Sequence, residues 1–325
     1  MLFRSANQQV LTLDLWKLAS EIKEGDWVFN SDGKLVQVKL VQHYVSDECY
    51  EITFDDHLTI QGDVHLAMLL ENKKYRLRVS TYKGVHKFRR PLRRYTVTDM
   101  LESDQRLSLP TTKPLNFPNQ PLAIPPFLFG FWFFNRRYNK TLIPPAGMSE
   151  FVHNQFMDNG YKVTTHRLMK TGEREFRVQP AIESQFLGFL PKQIPNNYLY
   201  ADAEQRRELL SGIMYAKTRQ YNEKTNWFVF TTKDHTISGQ VRFLVESLGC
   251  KTQPILYSKD NRIQMKFKCL YPLIENQQKK QVKVHHARRY INKIKKIARQ
   301  SCVHIETNDK NGTFLVGRSE EHTSE

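Results

Sequence analysis

Cysteine is the residue type in this sequence with the greatest potential for covalent chemistry. Four cysteines are scattered along the chain, at Cys49, Cys250, Cys269 and Cys302. They show neither a Cys-x-x-Cys pair nor the Cys/His spacing of metal ligands, so the sequence indicates neither a disulfide framework nor a zinc site. A cysteine with a chemical role would therefore act as a nucleophile.

A histidine and a serine could take part in the same kind of chemistry. His65 falls in a segment of β-type alternation, and Ser5 carries the only hydroxyl group before the first predicted strand at Val10. Taken alone, a histidine in a β segment is more often a hydrogen-bonded structural residue. A lone cysteine is likewise more often a small buried hydrophobe. Residue type alone therefore leaves catalytic and structural roles open.

The segment NRIQMKFK predicts a strand with one polar face. Four polar side chains alternate with apolar ones in it: Arg262, Gln264, Lys266 and Lys268. Because successive side chains of a strand point to opposite faces, these four would share one face. Such a face suits phosphates and base edges in a DNA major groove. A merely solvated basic face is the alternative.

Positive charge is concentrated in two stretches of the chain. The sequence has 49 Lys and Arg against 33 Asp and Glu, a formal net charge of +16. Ten basic residues and no acid lie between Lys73 and Tyr95, and nine and no acid lie between Lys279 and Arg299. The first stretch includes Arg89, Arg90, Arg93 and Arg94. Clustered charge of this kind is most often neutralised by nucleic acid phosphate.

The pattern of elements suggests one domain inserted into another. From Val10 to Met68 short apolar runs alternate with turn signals, which predicts an all-β segment. A proline-punctuated stretch from Lys73 to Asn119 predicts a partly extended connector. The middle repeats a pattern, with FLFGFWFF and ELLSGIM as apolar segments, then WFVFTT as a strand and ISGQVRFLVESLG as a helix. After Lys279 the β-like runs YINKIKKI, CVHIET and TFLV return.

Three blocks near the ends of the chain resemble inteins, the self-splicing Hint domains. LTLDLWKLASEIKEGDWVFNSDGKLVQV resembles their first block, and CYEITFDDHLTIQGDVHLAM resembles the block that delivers a histidine, here His65. SCVHIETNDKNGTFLVG resembles the late block, with Cys302 in the active position. The chain departs from the family at Gly62 and Val64, where Thr and Asp are usual.

Two further blocks in the middle resemble LAGLIDADG homing endonucleases. KQIPNNYLYADAEQRRELLSGIMYAKT is similar to the second motif and its lead-in, and FLFGFWFFN to the first copy. The resemblance implies two motif helices that touch at Gly130 and Gly212. It also implies that Asn135 and Lys217 occupy the two positions where carboxylates hold Mg²⁺, so cleavage is expected to be lost.

The resemblance covers most of residues 9–317 and implies an α+β multidomain protein. We expect an all-β, horseshoe-like Hint domain split by an α/β LAGLIDADG domain with a pseudo-twofold repeat. The expected segments are an upstream flanking (N-extein) remnant (1–8), the first Hint part (9–85), a basic, DNA-contacting linker (86–118), the endonuclease-like domain (119–278), the second Hint part (279–317) and a non-native tail (318–325).

The function implied is autocatalytic acyl transfer with His65, Cys302 and Ser5 as catalytic residues. Cys302 would attack the upstream carbonyl directly, as in a minority class that carries Trp where this chain has Ala67, or Ser5 would attack first. Splicing needs no cofactor, and Mg²⁺ would be required only by an active endonuclease. The alternatives are an active LAGLIDADG-type DNA endonuclease and a DNA-binding protein with neither activity.

The same resemblance implies the partners. These are double-stranded DNA at the insertion site and a flanking extein, for which a phage terminase large subunit is suggested because FRSANQ resembles the start of its phosphate-binding loop. No apolar run approaches the roughly 18 residues of a membrane-spanning helix. We expect a monomer in the cytoplasm of a phage or prophage host.

Overall fold

The structure, a computed structural model, describes residues 2–72, 77–80, 86–89, 92–136, 141–145, 147–168, 174–186, 191–216, 221–222, 227–258, 260–269, 271–274, 288–310 and 312–316. The chain divides into two compact units. The first unit combines residues 1–115 with residues 286–325, and the second consists of residues 116–285. Within the described residues, no helix is both long and apolar enough to cross a membrane.

The N-terminal part of the first unit is built mainly from strands. They are β1 (Leu2–Ser5), β2 (Gln9–Thr12), β3 (Leu15–Leu18), β4 (Trp27–Phe29), β5 (Leu35–Ser46), β6 (Cys49–Phe54), β7 (Thr59–Asp63), β8 (Ala67–Asn72), β9 (Leu77–Ser80), β10 (His86–Arg89), β11 (Leu92–Thr96) and β12 (Leu107–Pro110), with helix α1 (Val97–Leu101) before β12. A single 3₁₀ turn (Ala19–Glu21) follows β3. The prediction of a β segment from Val10 to Met68 is confirmed.

The second unit mixes helices and strands. Its helices are α2 (Pro126–Asn135), α3 (Ser149–Asp158), α4 (Asn196–Leu199), α5 (Ala203–Ala216) and α6 (His235–Ser247). Its strands are β13 (Lys162–Leu168), β14 (Arg174–Gln179), β15 (Tyr221–Asn222), β16 (Trp227–Thr232), β17 (Lys251–Thr252), β18 (Leu256–Tyr257) and β19 (Ile263–Lys268). The predicted strands WFVFTT and NRIQMKFK are therefore confirmed. The predicted helix before Gly249 is also confirmed, and this glycine has the positive φ of 79° that ends many helices.

The chain returns to the first unit with β20 (Arg288–Ile297) and β21 (Gln300–Thr307). The two six-stranded sheets of this unit have the orders β1-β21-β5-β4-β2-β3 and β11-β8-β12-β20-β6-β7. Each C-terminal strand thus lies between two strands from the N-terminal part. The predicted run TFLV forms only one β-bridge, from Val316 to Val10, although Phe314 is buried in the core.

Ion pairs fasten the second basic stretch to the N-terminal part of the first unit. Four of its basic residues pair with acids: Arg288 with Glu71, Arg289 with Asp56, Lys296 with Glu48 and Arg299 with Asp47. The Arg289 Nε atom lies 2.6 Å from Asp56 Oδ2, and the Asp56 side chain is fully buried. Four of the nine positive charges of this stretch are therefore paired within the first unit.

Residues 92–110 are not the extended linker that the prolines suggested. β11 and β12 both pair with β8, and β12 also pairs with β20. Val97, Met100 and Leu107 are buried in a hydrophobic cluster of the first unit. The prolines misled the prediction because Pro110 is the last residue of its strand, and proline is tolerated at strand ends.

Helices α2 and α5 approach each other closely at two glycines. A Cβ atom built on Gly130 would lie 2.4 Å from the carbonyl oxygen of Leu209, and one built on Gly212 would lie 2.1 Å from that of Phe127. Two helix backbones can come this close only where no side chain separates them. The contact is surrounded by a large core in which Phe131 is fully buried.

A buried arginine joins α5 to the end of α6. Arg206 has no exposed surface, and its Nε donates to the carbonyl oxygen of Ala201 at 2.8 Å. Its Nη1 donates to the carbonyl oxygen of Ser247 at 2.9 Å. Such hydrogen bonds compensate for the desolvation of the guanidinium group. Arg206 comes from the sequence QRRELL, so part of the lead-in to the second motif serves packing within the second unit.

Replacing Gly212 with alanine should destabilise the second unit. Alanine has the better helix propensity by about 1 kcal/mol. Its methyl group would, however, overlap the Phe127 carbonyl oxygen, and overpacking typically costs about 1–3 kcal/mol. We expect a lower midpoint of urea unfolding, followed by circular dichroism. Glu208→Ala, at an exposed position of the same helix, is the matched control and should change the midpoint little; equal midpoints for both variants would contradict the close helix contact.

Candidate functional site

Cys302 lies in the middle of three antiparallel strands. β21 pairs with β5 on one side and with β1 on the other, so Cys302 is directly opposite both Tyr44 and Ser5. Directly opposite residues of antiparallel strands present their side chains on the same face. Ser5 is 3% exposed and Cys302 is 1% exposed. The structure thus brings two of the three predicted catalytic residues together in a buried setting.

The Cys302 thiol has a second thiol beside it. Its sulfur atom lies 4.0 Å from that of Cys49, and both cysteines are free. Cys49 is on β6, directly opposite Asp63 on β7. Burial is the main cause that raises the pKa of Cys302 to about 12; the Cys49 thiol and the Asp63 carboxylate add to it, and a hydrogen bond with Tyr44 opposes it. At neutral pH the Cys302 sulfur is therefore a protonated thiol and a weak nucleophile.

Asp63 connects Tyr44 to His65. The Tyr44 hydroxyl donates to Asp63 Oδ2 at 2.8 Å, and the backbone N–H of His65 donates to Asp63 Oδ1 at 2.9 Å. Asp63 is the last residue of β7 and is 2% exposed, whereas His65 is exposed in the turn that follows. Burial and the bond to Asp63 raise the pKa of Tyr44, so its hydroxyl keeps its proton. The buried Asp63 carboxylate therefore holds both the Tyr44 hydroxyl and the His65 backbone in place.

A cleft of about 830 Å³ lies on the surface next to these residues. Its walls include three histidines and three acids: His43, His65, His304, Asp47, Glu48 and Asp63. Tyr44 also lines the cleft. Since Tyr44 hydrogen-bonds with the buried Cys302 as well, it connects the thiol to a space that could hold a peptide segment.

Four residues of this site had no assigned role in the sequence analysis. Neither Cys49 nor Tyr44 had a role in the sequence motifs, and only the pairing of distant strands brings them to Cys302. Asp63 and His304 could have been identified from the sequence. Asp63 precedes His65 by two residues, and strand alternation puts His304 on the same face as Cys302. His304 is 4% exposed, and its Nε2 lies 3.1 Å from a carboxylate oxygen of Glu306.

The basic strand of the second unit has the alternation that its sequence predicted. Ile263, Met265 and Phe267 are buried, whereas Gln264, Lys266 and Lys268 lie on the other face of β19. The neighbouring strand β16 extends this face, because Val229 and Thr231 are opposite Lys266 and Gln264. The Lys268 ammonium group lies 4.8 Å from the centre of the Trp227 ring, within the range of a cation–π interaction.

Arg262 lies one residue before the strand that carries this polar face. β19 begins at Ile263, and the preceding Asn261 has a positive φ of 56°. Across this turn the backbone N–H of Ser258 donates to the Arg262 carbonyl oxygen at 2.9 Å. The Arg262 Nε atom lies 2.7 Å from Asp260 Oδ2, so a neighbouring carboxylate offsets its charge.

The structure describes one of the two positions where a carboxylate is expected to have been lost, Asn135. Asn135 ends α2, and its side-chain amide donates to the Ile143 carbonyl oxygen at 2.8 Å and accepts from the Ile143 N–H at 2.7 Å. Both ends of the amide are thus used to hold the backbone, and Asn135 does not fit the role of a Mg²⁺ ligand. Lys217 lies outside the described residues. Within those ranges, no group of three or more His, Cys, Asp or Glu could hold a metal ion.

Three of the four arginines expected to contact DNA have a described backbone, and each of the three lies in a strand. Arg93 and Arg94 are exposed on β11 and are opposite Leu70 and Leu69. The backbone of Arg89 ends β10. The Arg89 side chain and all of Arg90 lie outside the described part of the chain.

Cys302 should react slowly with iodoacetamide at neutral pH. The groups that face it are Ser5, Tyr44, Cys49 and Asp63. Because its pKa is raised to about 12, the alkylation rate should still rise about tenfold per pH unit between about pH 7 and 10, whereas an ordinary thiol levels off near its pKa of about 8.5. Mass spectrometry of the Cys302 peptide measures the rate. Cys49→Ser removes one cause of the raised pKa and should speed the reaction; a plateau below about pH 9 in the unmodified chain would contradict the buried state.

Comparison with known proteins gives the following similarities. No known family profile matches the chain. Over 252 residues the chain is 23% identical to the replicative DNA helicase DnaB of Mycobacterium intracellulare, a match that covers 73% of this chain and 41% of the relative. The chain thus spans less than half the length of this curated relative.

Similar solved structures include two inteins and a homing endonuclease. The MchDnaB-1 intein is 19% identical with a TM-score of 0.20, over 29% of this chain and 78% of that chain. The gp41-1 intein is 17% identical with a TM-score of 0.20, over 33% of this chain and 84% of that chain. Mesophilic variants of the homing endonuclease I-DmoI are 10% identical with a TM-score of 0.31, over 44% of this chain and 82% of that chain.

Proposed function

We propose that the chain is an intein-type protein-splicing element whose first unit is a Hint domain and whose second unit is an inserted LAGLIDADG-type domain. The observation that carries this proposal is the position of Ser5 and Cys302, opposite each other on paired strands beside the Tyr44–Asp63–His65 chain. A splicing element must bring its two flanking segments together. The pairing of β1 with β21 meets this requirement, because it holds the beginning of the sequence against its late block.

The chemistry of this site is acyl transfer between side chains and the backbone. The Cys302 sulfur attacks the carbonyl carbon of the upstream peptide bond, forming a thioester as the C–N bond breaks. His65, exposed beside the cleft, donates a proton to the departing nitrogen. Ser5 is the alternative first nucleophile, because it lies directly opposite Cys302. All of these groups belong to the chain itself, so the transfer requires no cofactor.

The second unit is proposed to bind duplex DNA through the face that contains Gln264, Lys266 and Lys268. Lysine ammonium groups suit phosphates, and a glutamine amide suits the edge of a base. We propose that DNA cleavage has been lost, since the amide of Asn135 is committed to the backbone of Ile143. FRSANQ resembles the start of the phosphate-binding loop of phage terminase large subunits, which suggests that the flanking extein is such a subunit.

Two other functions remain as alternatives. One is an active LAGLIDADG-type endonuclease, which would need acids other than the two motif positions as metal ligands. The other is a DNA-binding protein without splicing activity, in which His65 and Cys302 would have structural roles only. The burial of Cys302 fits this second alternative, but the exposure of His65 beside a cleft favours a chemical role.

The unmodified full chain should be cleaved upstream of Val10 when it is incubated with hydroxylamine, which traps a thioester or ester. Cys302→Ser and His65→Ala should slow this cleavage about 100-fold or more, because each removes a group that acts on the scissile bond. Mass spectrometry of the released N-terminal peptide identifies the junction and gives the rate. Cys250→Ser, in the core of the second unit, is the matched control and should leave the rate unchanged.

Two results would contradict this part of the proposal. One is the absence of hydroxylamine-dependent cleavage in the unmodified chain, and the other is equal cleavage in Cys302→Ser and the unmodified chain. Cleavage that survives Cys302→Ser but is abolished by Ser5→Ala would assign the first attack to Ser5 instead.

The chain should bind duplex DNA with an affinity that falls steeply as salt rises, since phosphate contacts release counterions. Lys266→Glu should weaken binding about tenfold or more at low salt and reduce the salt slope by about one. Fluorescence anisotropy of a labelled duplex measures both quantities. Lys192→Glu makes the same change in net charge at an exposed position outside β19 and is the matched control.

Equal losses of affinity in Lys266→Glu and Lys192→Glu would mean that net charge, not the β19 face, determines binding. The same duplex, incubated with the unmodified chain and Mg²⁺ or Mn²⁺, should stay intact. Metal-dependent cutting at a defined position would favour the active endonuclease.

A further inference from the structure

The buried thiol of Cys302 presents a chemical problem that the proposed splicing reaction has to solve. A thiol must lose its proton to become a strong nucleophile. Burial, the Cys49 thiol and the Asp63 carboxylate all oppose this loss in the resting site. The proton therefore needs an acceptor that is already in place and that takes it as the sulfur attacks.

The residues around Cys302 offer one connected path for that proton. Tyr44 is directly opposite Cys302 on the adjacent strand and hydrogen-bonds with its thiol. The only hydrogen of the Tyr44 hydroxyl is directed to Asp63 Oδ2, at 2.8 Å. The Tyr44 oxygen thus keeps lone pairs that can accept the Cys302 S–H proton.

Asp63 is held so that it can end this path. Its Oδ1 accepts from the backbone N–H of His65 at 2.9 Å, which fixes the orientation of the carboxylate. With 2% exposure, the carboxylate has little contact with bulk water. Direct transfer from the sulfur would bypass Tyr44, but the hydrogen bonds of Asp63 lead to the Tyr44 hydroxyl and to the His65 backbone.

We infer that Tyr44 and Asp63 form a proton relay that activates Cys302, an inference that rests on the proposed splicing function. The Cys302 S–H proton moves to the Tyr44 oxygen, and the Tyr44 hydroxyl proton moves to Asp63 Oδ2. The sulfur then forms a bond to the upstream carbonyl carbon, the C–N bond breaks, and the nitrogen takes a proton from His65. Asp63 ends as a carboxylic acid, and no electrons are exchanged with another reactant.

The two carboxylate oxygens of Asp63 have different roles in this relay. On the Oδ2 side, Tyr44 and the carboxylate remove a proton from the nucleophile. On the Oδ1 side, the same carboxylate positions the backbone of His65, whose side chain serves the leaving nitrogen. Tyr44 and Asp63 touch the reacting thiol or its proton, and a change at either should therefore affect the chemical step rather than folding alone.

The test combines two measurements on the full chain, hydroxylamine-dependent cleavage and alkylation of Cys302 by iodoacetamide. Tyr44→Phe removes the hydroxyl from the path, so cleavage should fall about 100-fold. Alkylation should also become slower, because the Tyr44 hydroxyl can no longer donate to the ionised sulfur and stabilise the thiolate. Tyr50→Phe is the matched control: its hydroxyl donates to Glu48 at 2.9 Å, so it loses a similar bond without a role in the relay.

Asp63→Asn separates a relay from simple electrostatics. Removing the negative charge should make Cys302 easier to ionise, so alkylation at pH 8 should become faster. Cleavage should nevertheless become at least about 10-fold slower, because the proton acceptor is gone. Opposite changes in the two rates are the result that a relay requires. If both rates rise together, Asp63 acts only through its charge and the relay is wrong.

The remaining outcomes are also decisive. Unchanged cleavage in Tyr44→Phe, with thermal unfolding equal to that of Tyr50→Phe, would overturn the relay. If the unmodified chain shows no cleavage, the splicing proposal fails and the relay fails as a catalytic device. Alkylation would then still report whether Tyr44 contacts the thiol, since Tyr44→Phe must slow it if the hydrogen bond exists.

Discussion

The pairing of β21 with β1 and β5 is the interaction on which the candidate site depends. It places Cys302 opposite Ser5 and Tyr44, and no other described pairing of β21 does so. The register is protected by burial, because a shift of one residue would move Val303 and Ile305 out of the hydrophobic cluster that buries them. Ion pairs such as Arg289–Asp56 hold the adjacent C-terminal strand in the other sheet. The core that stabilises the first unit therefore also sets the geometry of the nucleophiles.

Burial has opposite consequences for folding and for chemistry at this site. It secures the strand register, but it also disfavours the thiolate form of Cys302 that acyl transfer requires. A resting thiol that stays protonated is protected from small electrophiles and from premature attack on the backbone. In this account the thiol is activated only when Tyr44 and Asp63 accept its proton, so reactivity is confined to the moment when a carbonyl group is in position.

Local sequence patterns predicted individual elements well but predicted long-range neighbours poorly. The strand at Trp227, the helix before Gly249 and the alternation of β19 follow from periodicity, because burial on one face repeats with the period of the element. The role of residues 92–110 was misjudged, since whether a proline-flanked segment joins a sheet depends on a distant partner strand. Cys49 and Tyr44 were missed for the same reason, because only the pairing of distant strands brings them to Cys302.

The central claim is that Cys302 accepts the upstream acyl group in an autocatalytic reaction. The most direct measurement is mass spectrometry of the full chain after rapid acid quenching, which preserves thioesters and locates the acylated side chain. The account predicts an N-terminal segment attached through a thioester to the peptide that contains Cys302, and its loss on treatment with hydroxylamine. An acyl group that is found only on Ser5, or a chain that remains linear through all incubations, would contradict it.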